Sequence, residues 1–139
     1  MHCVLVLDTN EFIGALGSPH NPLAKILFDK ILRESSKFFL YIPRTIVTEV
    51  RRNLSKVTFN EFMRSVQTVA HLDENFSVPF ELGAKYESLG LKPADAFIAG
   101  YCEWVKADVL VTENRHFLSR TSDLPFKILT AKKTLLMMK

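Results

Sequence analysis

Asp8, Glu49, Asp95, Glu113 and Asn114 are the residues of this 139-residue chain whose types and positions could do chemistry together. Asp8 ends the apolar run Cys3-Val4-Leu5-Val6-Leu7, and Glu49 lies two helical turns beyond the run Phe38-Phe39-Leu40-Tyr41-Ile42. Asp95 falls in the first turn of a helix opened by Pro93, and Glu113 and Asn114 follow Asp108-Val109-Leu110-Val111-Thr112. Taken singly, each acid has an ordinary explanation: a turn residue, a solvated helix carboxylate, a negative charge favoured by a helix dipole. Taken together, they bring carboxylate and amide oxygens from separate segments to one edge of the fold. Two carboxylates about 5 Å apart repel by roughly 3 kcal/mol at an effective dielectric of about 20, so three must protonate, separate or share a cation. An all-oxygen donor set suits Mg2+ or Mn2+. His2, His20, His71 and His116 show none of the paired His and Cys spacings that zinc requires.

The elements that must position these residues follow from the apolar pattern. Cys3–Leu7, Phe38–Ile42 and Asp108–Thr112 are short, continuous apolar runs, the signature of strands buried on both faces in a parallel sheet. Pro22–Arg33 carries Leu23, Ile26, Leu27 and Ile31 at helical spacing, and Pro43 opens a helix with Ile46, Val47, Val50 and Leu54 inward. Thr58 with Glu61 predicts a capped helix through Phe59, Phe62, Met63, Val66 and Val69. Phe80–Leu89 predicts another, stopped at Gly90, and Pro93–Val105 a further one. Phe126–Leu129 completes the strands, and Lys132–Lys139 reads as a half-ordered terminal helix. Strands alternating with helices predict an α/β fold, a mainly parallel sheet flanked by helices, in which ligands bind beyond the carboxyl ends of the strands.

With 47% hydrophobic and 24% charged residues, 5 glycines and 6 prolines, the composition excludes a disordered or collagen-like chain. Residues 1–139 read as one domain with one core. A net charge of +3 suits a polyanionic partner without establishing one. Cys3 and Cys102 are expected to be buried, reduced thiols. No apolar run resembles a signal segment or a membrane span, so a soluble, cytoplasmic protein is expected.

The motifs resemble those of the PIN-domain ribonucleases, and among them the VapC-like toxins of toxin-antitoxin pairs. Val-Leu-Asp-Thr-Asn at 6–10, Ile-Pro-Arg-Thr-Ile-Val-Thr-Glu-Val at 42–50, Lys-Pro-Ala-Asp-Ala-Phe-Ile-Ala-Gly at 92–100 and Leu-Val-Thr-Glu-Asn-Arg-His-Phe at 110–117 are similar to that family's successive motifs, in order and across essentially the whole chain. The resemblance implies a PIN-like fold. It also implies Asp8, Glu49 and Asp95 as metal-binding acids, Thr9 and Asn10 as shapers of the first loop, and Thr112 near the metal or substrate. Many relatives carry an Asp where this chain has Asn114, so either Asn114 or the adjacent Glu113 is the fourth ligand, and one or two ions remain open. The implied reaction is divalent-metal hydrolysis of RNA phosphodiester bonds, leaving 5′-phosphate and 3′-hydroxyl ends.

Basic residues flank these acids: Arg51, Arg52, Lys56 and Arg64 on one side, Arg115, His116 and Arg120 on the other. Arg115 and one of Arg51 and Arg52 are expected to contact RNA. Phe97, Tyr101 and Trp104 read as core and dimer packing rather than a base-stacking platform. A homodimer is expected, with an antitoxin segment laid across the pocket if the protein is a toxin. The competing functions are a catalytically silent PIN-like module that binds RNA or protein, and a housekeeping RNA-processing nuclease. A haloacid-dehalogenase-type phosphatase would need an acid where Asn10 stands, and a receiver domain an early acidic pair.

Overall fold

The run Cys-Val-Leu-Val-Leu forms β1 (Cys3–Leu7), in which Leu5, Val6 and Leu7 are fully enclosed. A strand apolar on both faces needs a layer of helices on each. The computed structural model describes residues 2–119 and 123–138. After β1 come α1 (Thr9–Leu16), α2 (Pro22–Arg33), β2 (Phe38–Pro43), α3 (Arg44–Asn53), α4 (Lys56–Gln67) and β3 (Ala70–Asp73). A single 3₁₀ turn (Asn75–Ser77), α5 (Phe80–Ser88), α6 (Pro93–Trp104), β4 (Val109–Val111), α7 (Arg115–Leu118), β5 (Lys127–Leu129) and α8 (Ala131–Met137) complete the chain.

The strands form one sheet in the order β3-β2-β1-β4-β5, and every pairing among the described residues is parallel. The α/β expectation holds, with a sheet more uniformly parallel than required. The order decides where the site lies. From β1 the chain moves outward through β2 to β3, then returns through α5 and α6 to place β4 on the other side of β1. The direction of winding reverses between β1 and β4, and at such a switch point the loops at the carboxyl ends part to leave a crevice. Asp8 and Thr112 are the residues that follow those two strands.

Helix α1, not among the elements expected from sequence, is anchored by Phe12, whose ring meets Phe28 of α2 edge-on at 5.8 Å and Phe62 of α4 at 5.2 Å. Helix α6 is held by a close backbone approach. A Cβ on Gly100 would stand 3.1 Å from the Leu82 carbonyl carbon of α5, closer than most packed side chains come. Helix α5 stops at Gly90, in the left-handed region at φ 101°, where the Gly90 N–H bonds to Glu87 O and the Leu91 N–H to Tyr86 O. The same motif ends α6, but there the left-handed position is taken by Lys106 at φ 58°.

Several sequence expectations are corrected. The helix expected to be capped by Thr58 starts a turn earlier, because Ser55 Oγ accepts the Thr58 N–H, and Val69 lies beyond its end. Strand β3 is unexpected. Cys102 is buried, but Cys3, the first residue of β1 and at the open end of the sheet, is only half-buried. The terminal helix is fully formed through Met137. Thr130 Oγ1 accepts the Lys133 N–H, and Ala131 and Thr134 are enclosed against the sheet and α2. Lys139 and Arg120 lie outside the described residues. Among the described residues no helix is long and apolar enough to cross a membrane.

Candidate functional site

Strand β1 passes into α1 with no spacer, which makes Asp8 both the strand's last neighbour and the helix N-cap. Its Oδ1 accepts the Thr9 N–H at 2.9 Å, and its Oδ2 accepts the Thr112 hydroxyl at 2.8 Å. Its own N–H donates to Val111 O at 2.9 Å, continuing the β1–β4 ladder one step past the strands. Thr112 is fully enclosed, and its Oγ1 also accepts the Asn114 N–H at 3.0 Å. Burial raises the Asp8 carboxyl above the ordinary range. The Thr112 and Thr9 hydrogen bonds pull it down, and the nearby charge of Asp95 raises it again. The charge of Asp95 is thus felt at Asp8.

Glu11, one turn along α1, is a functional candidate that the sequence reading missed. It is 2% exposed, its Oε1 has no hydrogen-bond partner, and its carboxyl shares a hydrogen bond with that of Glu113. Burial foremost, then the charge of Glu113, that shared hydrogen bond and the charge of Asp8, push its pKa up to about 8. An unpaired buried oxygen costs about 1–3 kcal/mol, so the arrangement is unfavourable in the metal-free protein. Glu113 itself is exposed, with Oε2 held at 3.0 Å by the Ala131 N–H at the start of α8. A signal was present in the sequence: an acid directly before Phe12-Ile13, three residues after Asp8. That spacing also reads as a routine capping box.

The remaining candidates are spread around this pair. Asp95 is half-buried in the first turn of α6. Glu49 points its carboxylate at Arg52 on its own helix, 2.7 Å away, with 47% of the side chain exposed. Its charge is not among those that shift the Asp8 carboxyl. Asn114 caps α7, its Oδ1 accepting the His116 N–H at 2.9 Å. Thr9 is half-buried and Asn10 exposed in the first turn of α1; Arg51, Arg52 and Arg115 are exposed. Tyr101 is enclosed with its hydroxyl on Asp73, as core packing predicts, while Trp104 is partly exposed.

Among the described residues, no three His, Cys, Asp or Glu side chains stand together as a ready metal cage. The chemistry of the donors nevertheless fits a hard divalent ion. All are oxygens, half-buried Asp8 and buried Glu11 feel the charges of other acids, and one buried oxygen is unpaired. The Glu49 ion pair is exposed, and such pairs contribute about 0–1 kcal/mol, so Arg52 holds Glu49 only weakly.

Residues 4–116 match the sequence profile of the family described as PIN domain. A search of curated protein sequences finds no match. Among solved structures, the chain is similar to one in VapBC2 from Rickettsia felis bound to a DNA fragment from their promoter. That likeness has 15% identity and a TM-score of 0.60, and covers 90% of this chain and 96% of the other. It is similar to one in FitAcB from Neisseria gonorrhoeae at 16% identity and a TM-score of 0.61, over 92% and 98% of the two chains. A third likeness is to a chain of FitAB bound to an IR36 DNA fragment, at 17% identity and a TM-score of 0.59, over 91% and 94%. At these identities the likenesses establish the fold.

Proposed function

The chain belongs to the PIN domain family, and from that premise we propose that it is a divalent-metal-dependent endoribonuclease, the toxin component of a toxin-antitoxin pair. The observation that carries this reading is Asp8. It is a half-buried carboxylate at the switch point of the sheet, fixed by Thr112 and Thr9 and set beside the charge of Asp95. Asp8, Glu49 and Asp95 would hold Mg2+ or Mn2+, with Asn114 or Glu113 as the fourth oxygen donor. When bound, the ion supplies a Lewis acid for the phosphate and lowers the pKa of water at the site.

The chain's own residues perform the remaining work. Thr112 and the Thr9 N–H fix both oxygens of Asp8 and so its orientation, while Asn10 and Thr9 shape the mouth of the site. Exposed Arg115 on one rim and Arg51 or Arg52 on the other track the phosphates of an RNA strand. The likeness to chains of VapBC2 and FitAcB supports an antitoxin protein as partner, and the reading includes a homodimer and a cytoplasmic location.

The test is cleavage of varied RNAs with Mg2+ or Mn2+, using Asp8→Asn as the control. Wild type cuts, Asp8→Asn stays folded and loses activity by orders of magnitude, and millimolar metal raises the melting temperature of wild type alone. Intact RNA in every case, with no thermal shift, refutes the enzyme. Two observations favour a second reading, a PIN module that binds RNA or protein without turnover. Glu49 is engaged by Arg52, and the Asn114 oxygen is engaged in capping α7.

A further inference from the structure

Glu11 Oε1 is the one enclosed side-chain oxygen or nitrogen without a partner among the described residues, and the usual reasons for burying a glutamate do not account for it. In a capping box the acid at this position would reach back to the N–H of the capping residue. Here the Asp8 N–H is already bonded to Val111 O. No lysine or arginine forms an ion pair with Glu11 among the described residues. The charged groups that face it are Asp8, from the end of β1, and Glu113, from the loop after β4, and both are acids. A proton shared between Glu11 and Glu113 relieves that pair but leaves Oε1 unpaired, and a cation is the complement that would take up this oxygen as well. Rotating helix α1 as a body to carry Glu11 away would withdraw Phe12 from Phe28 and Phe62.

We propose that Glu11 is an additional metal-binding residue, its free Oε1 donating to the divalent ion held at Asp8, with Glu113 beside it fixed by the Ala131 N–H. This rests on the reading of Asp8 as an ion-binding acid. It adds a charged donor from the first helix of the chain, on the side where Asn114 brings a neutral amide already engaged by the His116 N–H. Bound metal then satisfies the oxygen that is left unpaired without it.

The experiment is titration of the purified full chain with Mn2+ alone, read by electron paramagnetic resonance and calorimetry. Metal-free thermal unfolding and circular dichroism are recorded for wild type, Glu11→Gln, Glu11→Asp and Asp8→Asn. Glu11→Gln keeps the shape and removes the charge, so its Mn2+ affinity falls by tenfold or more while its metal-free melting temperature rises. Glu11→Asp keeps the charge on a shorter arm and also binds more weakly, so a variant that fails to fold leaves the other to decide. Mn2+ binding at wild-type strength in a folded Glu11 variant, with binding lost in Asp8→Asn, overturns this inference and leaves the proposed function standing. Wild type that takes up no Mn2+ overturns both.

Discussion

The Thr112 hydroxyl donates to Asp8 Oδ2 at 2.8 Å across 104 residues of sequence, and Thr112 Oγ1 in turn accepts the Asn114 N–H at 3.0 Å. One enclosed side chain therefore orients the acid after β1 and the loop after β4 together. Asp8 cannot turn without breaking a contact that also shapes the opposite wall of the crevice.

Replacing Thr112 with Val removes this link while preserving volume. A hydrogen bond to a charged group contributes about 1.5–3 kcal/mol, so Thr112→Val should lose stability in that range in denaturant unfolding. Groups that orient a metal-binding side chain are worth roughly 10–100-fold in affinity or activity, and RNA cleavage should fall accordingly. Thr112→Ser, which keeps the hydroxyl, should recover most of both. Equal losses from Val and Ser would assign the effect to packing.

Asn114 has a structural task as the cap of α7, and that task is separable from ligation. Asn114→Ala should lose about 1 kcal/mol from the missing cap. Asn114→Asp retains a capping oxygen and should keep its stability while binding Mn2+ more tightly than wild type. Comparing Glu113→Gln with Asn114→Ala in the cleavage assay then identifies the fourth donor, which is the position with the larger loss relative to its change in stability.

Lys106 occupies a left-handed conformation at φ 58° where a residue without a Cβ is favoured. Lys106→Gly should raise stability by about 1 kcal/mol with no change in metal binding, measured as a shift in the denaturant midpoint at constant slope. A loss of stability would show that the Lys106 side chain contributes more than its backbone costs.

Glu103 gives a signature at acid pH. Its carboxylate accepts from Lys85 Nζ and from the hydroxyl of buried Tyr86, each at 2.7 Å, and chiefly through the Lys85 hydrogen bond its pKa lies below the usual 4.5. A lowered folded-state pKa means that the contribution is complete above the unfolded value and disappears as pH falls through the folded one. Wild type should exceed Glu103→Gln by under about 1 kcal/mol at neutral pH, because the pair is partly exposed, and the difference should close as pH falls below the unfolded value and through the lowered folded one. A gap independent of pH would assign it to packing against Tyr86.

The elements legible in the sequence were those whose burial is continuous or whose ends are marked by special residues. Strands β1, β2 and β4 are unbroken apolar runs, and Pro22, Pro93 and Gly90 mark helix ends that the structure reproduces. Strand β3 was hidden because Ala70-His71-Leu72-Asp73 lies at the sheet edge with His71 and Leu72 exposed, so neither a run nor an alternation appears. Helix α1 was hidden because Asp8 serves strand and helix at once, leaving no loop to announce a new element. Glu49 was placed correctly on α3, but its engagement by Arg52 depends on rotamers that no spacing encodes. Glu11 was overlooked because its lack of a partner becomes visible only when β4 brings Glu113 against it.

The position of β1 in the middle of the sheet also sets the order in which the protein can become active. Asp8 is synthesised ahead of its β4 neighbour, and the Thr112 hydroxyl that clamps it is made 104 residues later. At about 5–20 residues per second, roughly 5–20 s of synthesis separate the two. Throughout that interval the nascent chain carries the acid without the clamp that orients it. A polypeptide interrupted before β4 therefore lacks the assembled crevice, and the site is complete only once Thr112 has been made.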